Sequence, residues 1–105
     1  MAATLDYDTF AKELNTKFQI QINPDQTLEA ELVDISEHLI SKLQDRFAIV
    51  FRTSNDIFLG PGMRDFHHDR IGAFTLFISP IGQDEQGTSY EAVFNRLNRK
   101  NWRAE

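Results

Sequence analysis

A chain of 105 residues with a formal net charge of −5 and no cysteine has room for one domain. Without cysteine it cannot carry disulfides, thiolate-bound zinc, thiol catalysis or iron–sulfur clusters. Its acidic balance also argues against a general nucleic-acid binder, which needs basic residues to neutralise phosphates. No apolar run approaches the roughly 18–20 residues of a membrane span. The start, Met1-Ala2-Ala3-Thr4-Leu5-Asp6, lacks the basic beginning and apolar middle of a secretory leader. The expectation is a cytoplasmic protein that makes no use of a membrane.

In chain order, Asp6 or Asp8 can cap a short helix that puts Phe10 and Leu14 on one face, with Lys12 and Glu13 outward and Asn15 as its stop. Too short to stand alone, it must dock on a sheet, as a plug over one open end. Next comes the cleanest strand signal: Phe18, Ile20 and Ile22 alternate with Lys17, Gln19 and Gln21. Asn23-Pro24-Asp25-Gln26 is a turn. In the strand that follows, Leu28, Ala30 and Leu32 point inward; then the parity changes and Val33 and Ile35 become the apolar set. A bulge at Leu32 and Val33 produces that change and bends the strand as small barrels require.

Leu39, Ile40 and Leu43 have helical spacing and Ser36 could cap them, so 36–46 is read as a connection with one helical turn, with the end of a long strand and a loop as the alternative. Phe47-Ala48-Ile49-Val50-Phe51 is apolar on both faces and reads as an interior strand. Thr53-Ser54-Asn55-Asp56 is a polar loop, and Gly60-Pro61-Gly62 suits a type II turn with Pro61 and Gly62 central. The stretch 63–68 alternates poorly and reads as an edge strand. From Gly72 a second interior strand runs through Phe74, Leu76 and Ile78 on one face and Phe77 on the other, with Pro80 marking the end of pairing. The segment 82–88 is a flexible polar loop, and the last strand points Tyr90, Ala92 and Phe94 inward. The nine phenylalanines are read as core, since full burial of each contributes about 1.5–3 kcal/mol. The sum is a mainly β domain over 6–97, a small antiparallel β-barrel or sandwich of about six strands with one short N-terminal helix, followed by a basic tail over 98–105.

The second half resembles a known family. Phe47-Ala48-Ile49-Val50-Phe51-Arg52, the glycine-led run from Gly72 through Leu76-Phe77-Ile78-Ser79-Pro80-Ile81-Gly82, and the closing Tyr90-Glu91-Ala92-Val93-Phe94-Asn95 are similar to the strands of a family of small bacterial domains of unknown function. The likeness covers about residues 10–96. The resemblance implies no catalytic role, because the family has no assigned activity. Some relatives look like neighbours of phage-tail-type structural proteins, which implies assembly by association rather than by mechanism.

Three sets of residues could carry chemistry. In Asp65-Phe66-His67-His68-Asp69, carboxylates and imidazoles could hold zinc, nickel or manganese. A strand sends His67 and His68 to opposite faces, so only Asp65, His67 and Asp69 could share an ion, with His38 as a distant partner. The plainer reading makes this a surface turn in which Asp69 accepts backbone N–H groups. Hydrolase chemistry needs a nucleophile beside a base, and Ser54, Ser79 and Ser89 all lack a G-x-S-x-G setting. The third set is the tail, where Arg96, Arg99, Lys100 and Arg103 surround Trp102. It reads either as a solvated terminus or as a docking segment with Trp102 as anchor. The leading expectation is a non-catalytic protein-interaction or assembly module that meets a protein partner or another copy of itself through the 63–68 edge and the tail. A small-ligand or metal-binding domain at 65–69 is the alternative, and no cofactor is expected.

Overall fold

The computed structural model describes residues 5–36, 38–41 and 43–97. Helix α1 spans Tyr7–Ala11. Asp6 caps it, accepting hydrogen bonds from the Thr9 backbone N–H at 2.9 Å and the Thr9 hydroxyl at 2.7 Å. Asn15 takes a left-handed φ of 70° beyond the helix, a conformation asparagine tolerates. Phe10 is fully buried, its ring 5.4–6.4 Å from those of Phe18, Phe47, Phe74 and Phe94. The expectation for its neighbours is reversed: Glu13 is buried and Leu14 is 36% exposed. The helix ends at Ala11, so the one-turn spacing from Phe10 to Leu14 never becomes a shared helical face.

The strands are β1 (Lys17–Asn23), β2 (Gln26–Ile35), β3 (Leu39–Ile40), β4 (Gln44–Thr53), β5 (Gly62–His68), β6 (Gly72–Asp84) and β7 (Gly87–Leu97). They pair in the order β2-β1-β5-β6-β7-β4-β3, and a further β2–β4 pairing closes six of them into an antiparallel barrel, with β3 as an extra strand on β4. The interior is filled by alternate side chains, among them Phe18 and Ile20 of β1, Leu28, Ala30 and Leu32 of β2, and Phe47, Ile49 and Phe51 of β4. Tyr90, Ala92 and Phe94 of β7 face in as expected. The bulge is present too: Leu32 pairs with Phe51 and Asp34 with Val50, which leaves the half-buried Val33 as the extra residue.

β4 and β5 are consecutive in the chain but lie on opposite sides of the ring. Residues 54–61 therefore cross one mouth of the barrel. They bury Leu59, whose backbone N–H donates to the Tyr90 hydroxyl at 2.8 Å. The other mouth, beside Phe47 and Phe94, is stoppered by Phe10 of α1.

Several expectations are corrected here. The 36–46 connection is a small hairpin, with Leu39 opposite Arg46 and Ile40 opposite Asp45. Leu39, Ile40 and Leu43 are all more than half exposed, so their helical spacing reported no buried face. Gly62 does not have the positive φ that a type II turn requires at its second central residue; it opens β5 instead. β5 is not an edge strand: it pairs with β1 through 65–67 and with β6 along its whole length. Its alternation is regular, but the buried His68 and the exposed Met63 reverse the polarity expected of each face.

β6 is interior as expected, yet Phe77 is 55% exposed on the outer wall. Pairing does not end at Pro80: Pro80 faces Tyr90, Gly82 faces Ser89, and Ile81 bulges between them. The 82–88 loop is a tight hairpin in which Asp84 accepts the N–H groups of Gln86 (2.8 Å) and Gly87 (3.2 Å). Gly87 has a φ of 149°, and a side chain there would collide with the Thr53 carbonyl. Of the nine phenylalanines, Phe58 and Phe77 lie mostly in solvent, while the others are buried or packed against the core.

Candidate functional site

Two places concentrate side-chain chemistry. The first is the helix end of the barrel. Arg70, in the β5–β6 turn, donates from Nε to both carboxylate oxygens of Glu13 (2.9 Å each) and from Nη2 to Oε1 (2.5 Å). This pairing holds the Glu13 carboxyl below the usual carboxylate range, although burial works against it. Buried His68 lies beneath it. Its Nδ1 accepts the N–H groups of Arg70 (3.1 Å) and Ile71 (3.3 Å), so the neutral ring carries its proton on Nε2. Nε2 then donates to Thr16 Oγ1 at 2.9 Å, and the Thr16 hydroxyl donates to the Glu13 carbonyl at 2.7 Å. Burial lowers the His68 pKa, with Glu13 pulling the other way. Each group is committed to a neighbour, so the cluster staples the helix segment to the β5–β6 turn. Sequence reasoning missed it because Glu13 and Arg70 are 57 positions apart.

The candidate metal residues fall elsewhere. Asp65 and His67 share the outer wall, in a shallow hollow of about 440 Å³ that Gln19, Gln21, Thr27, Phe66 and Ala73 also line. Asp65 accepts a hydrogen bond from Thr75 at 2.9 Å. Asp69 sits exposed in the turn beyond the strand, where His68 rather than Asp69 accepts the backbone N–H groups. His67 and His68 do point to opposite faces, one exposed and one buried. His38 is engaged with Asp45 (2.6 Å) and stacked on Tyr7 at 4.5 Å. Among the described residues no group of three or more His, Cys, Asp or Glu is arranged to hold a metal ion. Of the tail residues, Arg96 lies in β7 opposite Asp45. Its side chain, together with Arg99, Lys100, Trp102 and Arg103, lies outside the described residues.

The second place is on the outer wall, and the ladders define it row by row. Met63 pairs with Phe77, and Val93 pairs with Ala48. Phe77 and Val93 each lie two residues beyond the last β6–β7 pair, Ser79 with Glu91, and so share its outward face. Met63, Phe77, Val93 and Ala48 thus form an apolar belt across β5, β6, β7 and β4. Met63, Phe77 and Val93 are 62%, 55% and 54% exposed, too much for them to be core. Leu39 joins the belt at its β4 end, where a hollow of about 390 Å³ is lined by Leu39, Ala48, Val93, Arg46 and Glu91, among others. The belt could have been suspected from Phe77, the large residue on the wrong parity of its strand. Its continuation needed the ring closure.

These features define a small, closed antiparallel β-barrel domain with a packed interior. The family model described as Domain of unknown function (DUF6916) matches residues 5–94, from the residue before the helix cap to Phe94 of β7, and the chain belongs to that family. No curated protein and no solved structure matches the chain.

Proposed function

We propose that this domain is a non-catalytic protein-interaction or assembly module working in the cytoplasm, and that its working surface is the apolar belt on the barrel wall. The belt carries the reading. Large contiguous apolar patches on a protein surface mark interaction sites far more often than lone exposed residues do, and this one spans neighbouring strands of a sheet. Two further points support it. The barrel interior is occupied by packed aromatic and aliphatic side chains. The buried titratable groups are paired with each other and with the backbone, as a structural staple requires. The neighbourhood with phage-tail-type structural proteins that the sequence resemblance implies leans the same way, as an association only. The 63–68 edge expected from sequence does not serve as this surface, since β5 is paired on both sides.

The test is Phe77→Glu. A surface change of this kind should shift stability by no more than about 0.5 kcal/mol, while it removes whatever protein association the wild-type chain shows, read both by sedimentation of the pure domain and by capture from extract. An association indifferent to Phe77→Glu, or none in either measurement, overturns the reading.

A further inference from the structure

Resting on that reading, we infer that the belt's occupant is a second copy of this chain, meeting it over the neighbouring strands β6, β7 and β4 about a two-fold axis that lies tangent to the barrel and runs along the belt there. A two-fold contact brings one patch against itself, so the patch must be its own complement. An apolar row satisfies that at its centre. The flanks decide the orientation. Glu91, opposite Val50, lies one outward step to one side of the Val93–Ala48 pair; Arg46, opposite Asn95, lies one outward step to the other.

A two-fold axis along the belt exchanges the two flanks, so Arg46 of each copy comes over the partner's Glu91. Their strands are neighbours, about 4.8 Å apart, an offset within an arginine's reach. An axis along the strands would keep each flank on its own side and put glutamate beside glutamate, which repels. Among the described residues neither Arg46 nor Glu91 makes an ion pair. Both border the same hollow at the belt's β4 end. Opposite charges at equal steps on either side of an apolar row suit a copy of the same surface.

Sedimentation of the full chain from micromolar to sub-millimolar concentration tests this. The mass should rise from that of one 12.2 kDa chain towards twice that value, and Phe77→Glu should hold it at one chain throughout. Arg46→Glu and Glu91→Arg should each weaken dimerisation about tenfold, and the double exchange should recover most of it. A chain that stays monomeric, a dimer that survives Phe77→Glu, or a double exchange no better than the single changes overturns the inference. A monomer whose belt still captures another protein fails this inference and leaves the proposed function standing. A monomer whose belt captures nothing fails both.

Discussion

At the helix end of the barrel, Phe10 enters the core and an ionised pair, Glu13 with Arg70, fastens the chain behind it over the neutral His68. At the crossing-loop end, Leu59 enters the core and the fastening is neutral. Tyr90 accepts the Leu59 N–H, and Asn55 accepts from Thr88 (2.8 Å) and Gln83 (3.2 Å) while donating to the Asp84 carbonyl (2.7 Å). Both ends exclude water from the same core. One does it with a charged pair beside a buried histidine and the other with uncharged hydrogen-bonding groups, so the acid losses of Glu13 and His68 fall on the helix end.

The largest expected effect breaks the comparison at the helix end. Phe10→Ala removes a ring in contact with four others and should cost about 3–5 kcal/mol in urea unfolding. A loss below about 1 kcal/mol would mean that the helix is an ornament on a barrel closed without it.

At the other end, Tyr90→Phe keeps the ring and leaves the buried Leu59 N–H without its acceptor, at a cost of about 1–3 kcal/mol. That cost should be the same at pH 7 and pH 5. If it varies with pH, the neutral end is coupled to the charged one.

The smallest effect sharpens the contrast. His68 has a lowered pKa in the folded chain, so its contribution is complete above the ordinary histidine value of about 6.5 and declines as pH falls from there towards the folded value. The Glu13 pKa is lowered too, so its contribution is complete above the ordinary carboxylate range and is lost as pH falls through its folded value. Both losses lie on the acid side, one after the other. Glu13→Gln should cost about 1 kcal/mol at pH 7, since its partner Arg70 is largely in solvent. The variant should also lose less stability than the wild type on going from pH 5 to pH 3. An unchanged acid limb in thermal melts would remove Glu13 from the account.

How much of this was readable beforehand follows from the range of each interaction. Phe18 and Ile20, or Leu28, Ala30 and Leu32, announce their strands because burial alternates within a few residues. The Val33 bulge was legible for the same reason, as a change of parity inside one strand. The Glu13 staple was not, because a carboxylate's partner fixes whether it is buried, and that partner stands at the far side of the chain. β5 was misread because an inward His68 looks polar until Thr16 and two backbone N–H groups are seen to satisfy it. The hairpin at 39–46 was misread because exposed leucines and isoleucines mimic a helical stripe. The outward belt was invisible for a related reason: an apolar residue on either face of a strand reads as core until the sheet has an inside.

The crossing loop over 54–61 has one more consequence. It divides the chain into two consecutive meanders, β1-β2-β4 and β5-β6-β7, each a three-stranded half of the ring. First strand meets first strand in the short β1–β5 ladder of three residue pairs, and last strand meets last strand in the ten-pair β4–β7 ladder. The domain is thus a clasp with a long hinge seam and a short latch seam, and thermal fluctuation will part the latch first. Because the loop lies over one mouth and enters neither seam, the two halves could be made as separate chains and still find each other along the longer one.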